Sequence, residues 1–189
     1  PRWNSNFFKT SEDALAYHNA GANGAAMRML PIVLANQSDR DTMILEVFKN
    51  SIVTHGHPRA IIGSMLYSLS AVYFLKADVL PDYPNEIISV IAKELKSVAA
   101  LINHLEDMGL SAWVDRWDST MNVGFCQVFQ TTVEDTLELL RYTYKSIAAN
   151  TSNTEVFKSL GALDKDTRGA GHISAVAALF MATKYIYEA

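Results

Sequence analysis

Apolar residues recur at helical spacing along most of the chain, and this pattern limits the possible folds more than any other feature. The clearest example lies between Asn85 and Met108, with Gly109 as a stop. Its apolar positions are Ile87, Ile88, Ile91, Leu95, Val98, Ala99, Ile102 and Leu105. Residues three or four apart share one face of a helix, and no alternating run is long enough to indicate a strand. The sequence therefore predicts an all-α fold, a bundle of several helices.

Proline and capping residues predict where the first helices begin. A helix from Gly24 to Asn36 should be kinked or broken by Pro31. The next helix should follow Ser38, with Ser38 and Asp41 as a capping pair. Each of these boundaries follows from the local sequence alone.

Further helices are expected towards the C-terminus. Pro58 suits the first turn of a buried helix. Later helices are predicted from about Val133 to Ala149, from Thr154 to Leu160 and from near Asp166 towards Tyr187. Between Ser111 and Gln130 the periodicity weakens, which indicates an irregular connection. Its aromatic residues would form a satellite core or line a pocket.

Composition limits the functional classes. The chain has 189 residues, of which 49% are hydrophobic, enough to bury the core of one domain over residues 1–189. The formal net charge is −4 and no run of basic residues occurs, so a nucleic-acid partner is not expected.

The sequence also predicts where the protein resides. The apolar stretch Ile173 to Met181 is far shorter than the roughly 20 residues of a membrane span. The segment Pro1 to Phe8 lacks the features of a secretory signal. One cysteine excludes an internal disulfide and favours a reducing compartment, so the predicted location is cytoplasmic.

An acidic motif near the C-terminus is the first candidate site. It reads Gly161-Ala-Leu-Asp164-Lys-Asp166-Thr167, followed by a stretch rich in small residues. Asp164, Asp166 and Thr167 offer only oxygen donors, which suit Mg²⁺, Mn²⁺ or Ca²⁺. Asp and Thr are also common at the start of a helix, and that interpretation stays open.

Two shorter segments are further candidates. Gly21-Ala22-Asn23-Gly24 precedes a helix, where backbone N–H groups can receive a phosphate, although Asn-Gly is also a common turn. The segment Thr54-His55-Gly56-His57-Pro58 places two histidines at a helix boundary. One of them could donate a hydrogen bond to a ligand, or both could be ordinary boundary residues.

Taken in this order, the three segments resemble the ADP-ribosylglycohydrolase family, which includes the dinitrogenase reductase-activating glycohydrolase. The resemblance rests on Gly21-Ala-Asn-Gly-Ala-Ala-Met-Arg28 with Pro31 after it, on Thr54-His55 with Pro58, and on Asp164-Lys-Asp-Thr167. It implies an orthogonal multi-helix bundle of the ADP-ribosylglycohydrolase type. It also implies a centre of two Mg²⁺ or Mn²⁺ ions and an ADP-ribosylated substrate.

The resemblance further assigns roles to residues. Asp164, Asp166 and Thr167 would be metal ligands, whereas Gly21, Ala22, Asn23, Gly24 and His55 would contact ADP-ribose. Arg28 would be a supporting residue.

Half of the metal ligands of the family are absent from this chain, as is the general base, which is expected upstream of Pro1. The resemblance therefore implies the C-terminal portion of a longer domain, completed by an N-terminal polypeptide segment. Lys165 also departs from the family pattern, which favours a small hydroxyl residue there.

Three functional hypotheses follow. The first is a metal-dependent hydrolase that cleaves an N- or O-glycosidic bond to ADP-ribose once its N-terminal part completes the site. The second is a catalytically inactive relative that binds ADP-ribose or a nucleotide. The third is a helical interaction module that retains only the scaffold.

Overall fold

Helices dominate the computed structural model, which describes residues 11–188 apart from the side chains of Ser11, Leu101 and Asn103. The α-helices are α1 (Ser11–His18), α2 (Leu30–Asn36), α3 (Arg40–Ile52), α4 (Pro58–Lys76), α5 (Asn85–Ala99), α6 (Ser111–Met121), α7 (Phe125–Ala148), α8 (Asn153–Ser159) and α9 (Gly171–Lys184). Short 3₁₀ helices span Ala26–Arg28 and Ala100–His104. Residues 11–188 contain no β-strand beyond one isolated bridge. The all-α prediction is confirmed.

Helix α4 lies at the centre and packs against α3, α5, α7 and α9. Its buried positions extend around most of the helix, from Ile61 and Ile62 to Leu66 and Leu69. Three buried serines are compatible with this environment because each hydroxyl donates to the carbonyl four residues earlier. As predicted, the helix begins at Pro58, with His57 as its N-cap.

Two glycines allow α4 and α9 to contact each other backbone to backbone. A Cβ atom built on Gly63 would lie 2.3 Å from the carbonyl carbon of Gly171. A Cβ atom on Gly171 would lie 2.7 Å from the carbonyl oxygen of Arg59. The absence of side chains at these two positions lets the backbones approach, and the contact holds the start of α9 against the start of α4.

The region predicted to be irregular, Ser111 to Gln130, is instead mostly helical. It contains α6 and the first turns of α7, separated at Asn122, whose φ of 54° is left-handed. Trp117, Phe125 and Phe129 are almost fully buried in the main core. Two consecutive helices lie here, each with aromatic residues four apart, and they are separated by a break at residues 122–124. The prediction was wrong because this break interrupts the helical periodicity when the region is read as one segment.

Two other boundaries differ from the predictions. The cap of α3 is Asp39, not Ser38, since the Asp39 carboxylate accepts from the backbone N–H of Thr42 at 3.1 Å. The helix predicted to reach Met108 changes to a 3₁₀ turn after Ala99, although Gly109 has the expected left-handed φ of 70°.

The first and last predicted helices are also shorter than expected. The helix predicted from Gly24 to Asn36 is interrupted at Met29, the N-cap of α2. Pro31 therefore lies in the first turn of α2. The last helix starts at Gly171 and not near Asp166. Its start is delayed because Gly169 and Ala170 pair with another segment, as described below.

None of the helices in the described part of the chain combines the length and apolar character needed to cross a membrane. This agrees with the expectation from the short apolar stretch at Ile173 to Met181. The cytoplasmic location remains a prediction. The segment Pro1 to Phe8, judged to lack a secretory signal, lies outside the described residues.

Gly63→Ala should destabilise the protein although alanine is the better helix former. The added methyl would overlap the Gly171 backbone, which cannot move without displacing α9. We expect a loss of about 2–3 kcal/mol in the free energy of unfolding, measured by urea denaturation. Gly169→Ala is the control because nothing lies within 4 Å of a Cβ there. Equal stability of the two variants would contradict the close crossing.

Candidate functional site

The glycine loop and the segment after the acidic motif are joined by backbone hydrogen bonds. Asn23 N–H donates to the Gly169 carbonyl at 3.0 Å, and Gly171 N–H donates to the Gly21 carbonyl at 2.8 Å. These bonds form an antiparallel bridge centred on Ala22 and Ala170. The structure therefore joins the glycine loop to the segment directly after the acidic motif, about 150 residues later in the sequence.

A side-chain contact adds to this pairing. The Asn23 amide Nδ2 lies 3.3 Å from Ser174 Oγ, one turn into α9. The N–H groups of Ala22 and Gly24 donate to no acceptor among residues 11–188. Ala22 is exposed and Gly24 half-buried, so these two amides remain available to a ligand.

The histidine segment lies beside the same loop. His57 N–H donates to the Ala20 carbonyl at 3.3 Å, and Gly56 N–H donates to the Tyr17 carbonyl at 3.0 Å. A Cβ built on Gly24 would lie 3.3 Å from both Cε1 and Nε2 of His55. The His55 ring therefore covers Gly24, and the residues predicted to contact ADP-ribose form one surface.

Helix α6 packs against the histidine segment and donates a hydrogen bond to it. The indole N–H of the fully buried Trp117 donates to the Gly56 carbonyl at 2.8 Å. Trp113 donates to the Tyr17 hydroxyl at 2.9 Å, and that hydroxyl donates to the Ile52 carbonyl. Burial raises the pKa of Tyr17 to about 12, so it keeps its donor proton. These tryptophans, considered from sequence as possible pocket residues, support the loop.

Arg28 connects the glycine loop to the end of α3. Its Nε donates to Asn50 Oδ1 at 2.6 Å, and its Nη2 donates to the Asn50 carbonyl at 2.8 Å and to Thr54 Oγ1 at 2.6 Å. Thr54 Oγ1 lies 2.7 Å from His55 Nδ1. Burial and the Arg28 charge both lower the pKa of His55, which favours its neutral form.

Asp164, Asp166 and Thr167 lie in turns before α9. Both carboxylates are exposed, and Asp166 N–H donates to Asp164 Oδ1 at 2.7 Å. The Thr167 hydroxyl donates to the Gly161 carbonyl at 2.7 Å. Gly161 has a φ of 75°, and a Cβ there would lie 2.8 Å from Thr167 Oγ1. A glycine is therefore required at position 161 to keep this turn.

The acidic motif contains some of the ligands that a metal centre requires. Two carboxylates and a hydroxyl are suitable ligands for Mg²⁺ or Mn²⁺. Among residues 11–188, however, no three His, Cys, Asp or Glu side chains are grouped so that they could hold a metal ion. The residues present are therefore of the right type but supply only part of such a centre.

A cavity of about 410 Å³ opens next to the acidic motif, between the first turns of α4, the first half of α7 and the start of α9. Its polar lining includes His57, Arg59, Thr132, Asp135, Thr167 and His172. Thr167 belongs to both the cavity wall and the acidic motif. Sequence reasoning missed Arg59, Asp135 and His172. His172 could have been noticed as a polar residue inside an apolar helix, whereas nothing marks Asp135.

The two buried histidines of this cavity are neutral. His57 Nδ1 accepts from Arg59 N–H at 3.1 Å, whereas His172 Nδ1 is buried without a partner among the described residues. Burial, with the Arg59 charge, lowers the pKa of each to about 4. A second cavity of about 470 Å³, around Arg40 and Glu94, contains no residue of the three motifs.

Comparison with known proteins gives one family-level result. A family model described as ADP-ribosylglycohydrolase matches residues 2–185. Neither the comparison with curated proteins nor that with solved structures gives a match.

Acidification should destabilise the fold because His57 is neutral in it. An unfolded histidine takes up its proton near pH 6.5, whereas folded His57 does so only near pH 4. The unfolded state therefore binds more protons between these values, and stability falls as the pH decreases from about 6.5 to about 4. His57→Asn should reduce this loss by up to about 1.4 kcal/mol per pH unit, while asparagine retains the N-cap acceptor.

Urea denaturation at several pH values between 7 and 4 measures this effect. His104→Asn is the matched control, because it removes an exposed histidine that does not line the cavity. If His57→Asn lost stability on acidification as steeply as the wild type, His57 would not be held neutral by burial.

Proposed function

The chain belongs to the ADP-ribosylglycohydrolase family, and we propose that it takes part in hydrolysis of a glycosidic bond between ADP-ribose and a modified protein or small molecule. The observation that carries this proposal is the pairing of Asn23 with Gly169 and of Gly21 with Gly171. Through it, the glycine loop, His55 and the segment that follows the acidic motif lie within one surface.

The glycine loop would hold the diphosphate part of ADP-ribose. Gly21 and Gly24 leave the backbone accessible, and the amides of Ala22 and Gly24 are free to donate. Backbone N–H groups are suitable donors for phosphate oxygens. Asn23 would keep the loop in this conformation through Gly169 and Ser174, and His55 would add a side-chain donor above Gly24.

Asp164, Asp166 and Thr167 would supply part of the ligand set for Mg²⁺ or Mn²⁺. Their exposed oxygens are chemically suitable, and the hydroxyl of Thr167 retains lone pairs while it donates to Gly161. Such cations neutralise substrate oxygens and activate water. The remaining ligands, and the general base, would come from polypeptide outside residues 11–188.

A second candidate function is binding of ADP-ribose without turnover. It is favoured by the absence of a complete metal-binding group among residues 11–188. The loop and His55 do not depend on that group for their positions, because their hydrogen bonds are all made within the chain. Binding without turnover is therefore compatible with the same surface.

Calorimetric titration of ADP-ribose into the 189-residue chain tests these proposals. Binding with Mn²⁺ should be stronger than binding with a chelator, and Asp164→Asn should remove the difference. His55→Ala should weaken binding in both conditions about tenfold, the effect of losing one hydrogen bond to a charged group. Asp82→Asn, an exposed carboxylate beyond the other end of α4, should match the wild type.

The outcomes separate the candidate functions. Binding that is independent of Mn²⁺ and unchanged by Asp164→Asn, but weakened by His55→Ala, would favour the binding protein over the hydrolase. Binding unaffected by His55→Ala would contradict the proposed ADP-ribose surface.

A further inference from the structure

The hydroxyl of Thr54 lies between a cation and a histidine ring. Arg28 Nη2 is 2.6 Å from Thr54 Oγ1 on one side, and His55 Nδ1 is 2.7 Å from it on the other. A guanidinium can only donate, so the Thr54 oxygen must accept from Arg28. Thr54 Oγ1 has no other hydrogen-bond partner among residues 11–188. Within the described part of the chain, His55 is therefore the one acceptor for the Thr54 proton.

This arrangement selects one tautomer of His55. If the Thr54 hydroxyl donates to Nδ1, every polar group in the chain of bonds is satisfied, and the ring proton must be on Nε2. If Nδ1 carried the proton instead, it would donate to the threonine oxygen, and the hydroxyl proton would lose its acceptor. A doubly protonated ring is disfavoured because burial, together with the nearby Arg28 charge, lowers the pKa of His55.

The Nε2 end of the ring is the end that faces the glycine loop. It lies 3.3 Å from the position of a Cβ on Gly24. The neighbouring amides of Ala22 and Gly24 are free donors as well. An Nε2–H group would therefore complete a set of donors, whereas an unprotonated Nε2 would repel the oxygen atoms of an anionic ligand.

Arg28 is itself fixed by the end of α3. Its bonds to the side chain and carbonyl of Asn50, at 2.6 and 2.8 Å, hold the guanidinium in place. Asn50 lies in the last turn of that helix, where a cation is also favoured by the helix dipole. The orientation of the His55 ring thus depends on a helix of the core.

We infer that Arg28 and Thr54 are positioning residues that hold His55 as a neutral Nε2–H donor beside Gly24. The identity of the ligand rests on the proposed function, but the tautomer does not. Arg28 and Thr54 act through His55 and need no contact with the ligand themselves.

Nitrogen-15 NMR of the histidine rings in the ligand-free chain tests the tautomer directly, because protonated and unprotonated ring nitrogens resonate in different regions. The chain has five histidines, so the His55 signals are assigned by their loss in His55→Asn. We expect Nε2–H in the wild type and in Thr54→Ser, which keeps the hydroxyl. Thr54→Val should give a mixture of tautomers. An Nδ1–H ring in the wild type, or an unchanged spectrum in Thr54→Val, would overturn the inference.

ADP-ribose titration of the same variants tests the consequence for binding. Thr54→Val should weaken binding about tenfold, and Thr54→Ser should restore it to within about threefold of the wild type. Thr120→Val is the control, because it removes an exposed hydroxyl that bonds only within α6. Urea denaturation of each variant identifies any loss that comes from unfolding.

The two measurements separate the inference from the proposed function. A wild type with the Nε2–H tautomer but no affinity for ADP-ribose would contradict the proposed function and support the positioning role. A wild type that binds ADP-ribose, with Thr54→Val equal to it in both tautomer and affinity, would support the function and overturn the positioning role.

Discussion

The close contact between α4 and α9 determines the geometry of the candidate site. Gly63 and Gly171 remove the side chains that would separate the two backbones, so the start of α9 lies directly against the first turns of α4. That position allows the residues before α9 to pair with the glycine loop at Gly21 and Asn23. The contact between Gly63 and Gly171 therefore positions the segment after the acidic motif where it pairs with the glycine loop.

Burial lowers the pKa of the histidine at the glycine loop, His55. Arg28, held by Asn50 and Thr54, lies beside the glycine loop, and its charge adds to burial of the ring in favouring the neutral form of His55. A neutral histidine has one donor and one acceptor nitrogen, and the hydrogen bonds of its neighbours determine which nitrogen donates. Burial and the Arg28 charge therefore favour the neutral form of His55, with one ring nitrogen as a donor.

The acidic motif has a different character from the rest of the site. Asp164 and Asp166 are exposed, and within residues 11–188 no other acid or histidine groups with them to hold a metal. By contrast, the glycine loop and His55 are held by many bonds within the chain. This difference is the physical basis for two candidate functions. The proposed ligand binding would need only the described residues, whereas the proposed hydrolysis would need further metal ligands and a base.

The sequence alone determined the helical class, the start of α4 at Pro58 and the three motifs, because these depend on spacing and local capping. It predicted an irregular connection where α6 lies, and it missed Arg59, Asp135 and His172, which lie on three different helices. Only the tertiary structure decided that the glycine loop pairs with the segment after the acidic motif, that α9 starts at Gly171 and that Arg28 contacts Thr54. These contacts join residues far apart along the chain, and short-range patterns carry no information about such distances.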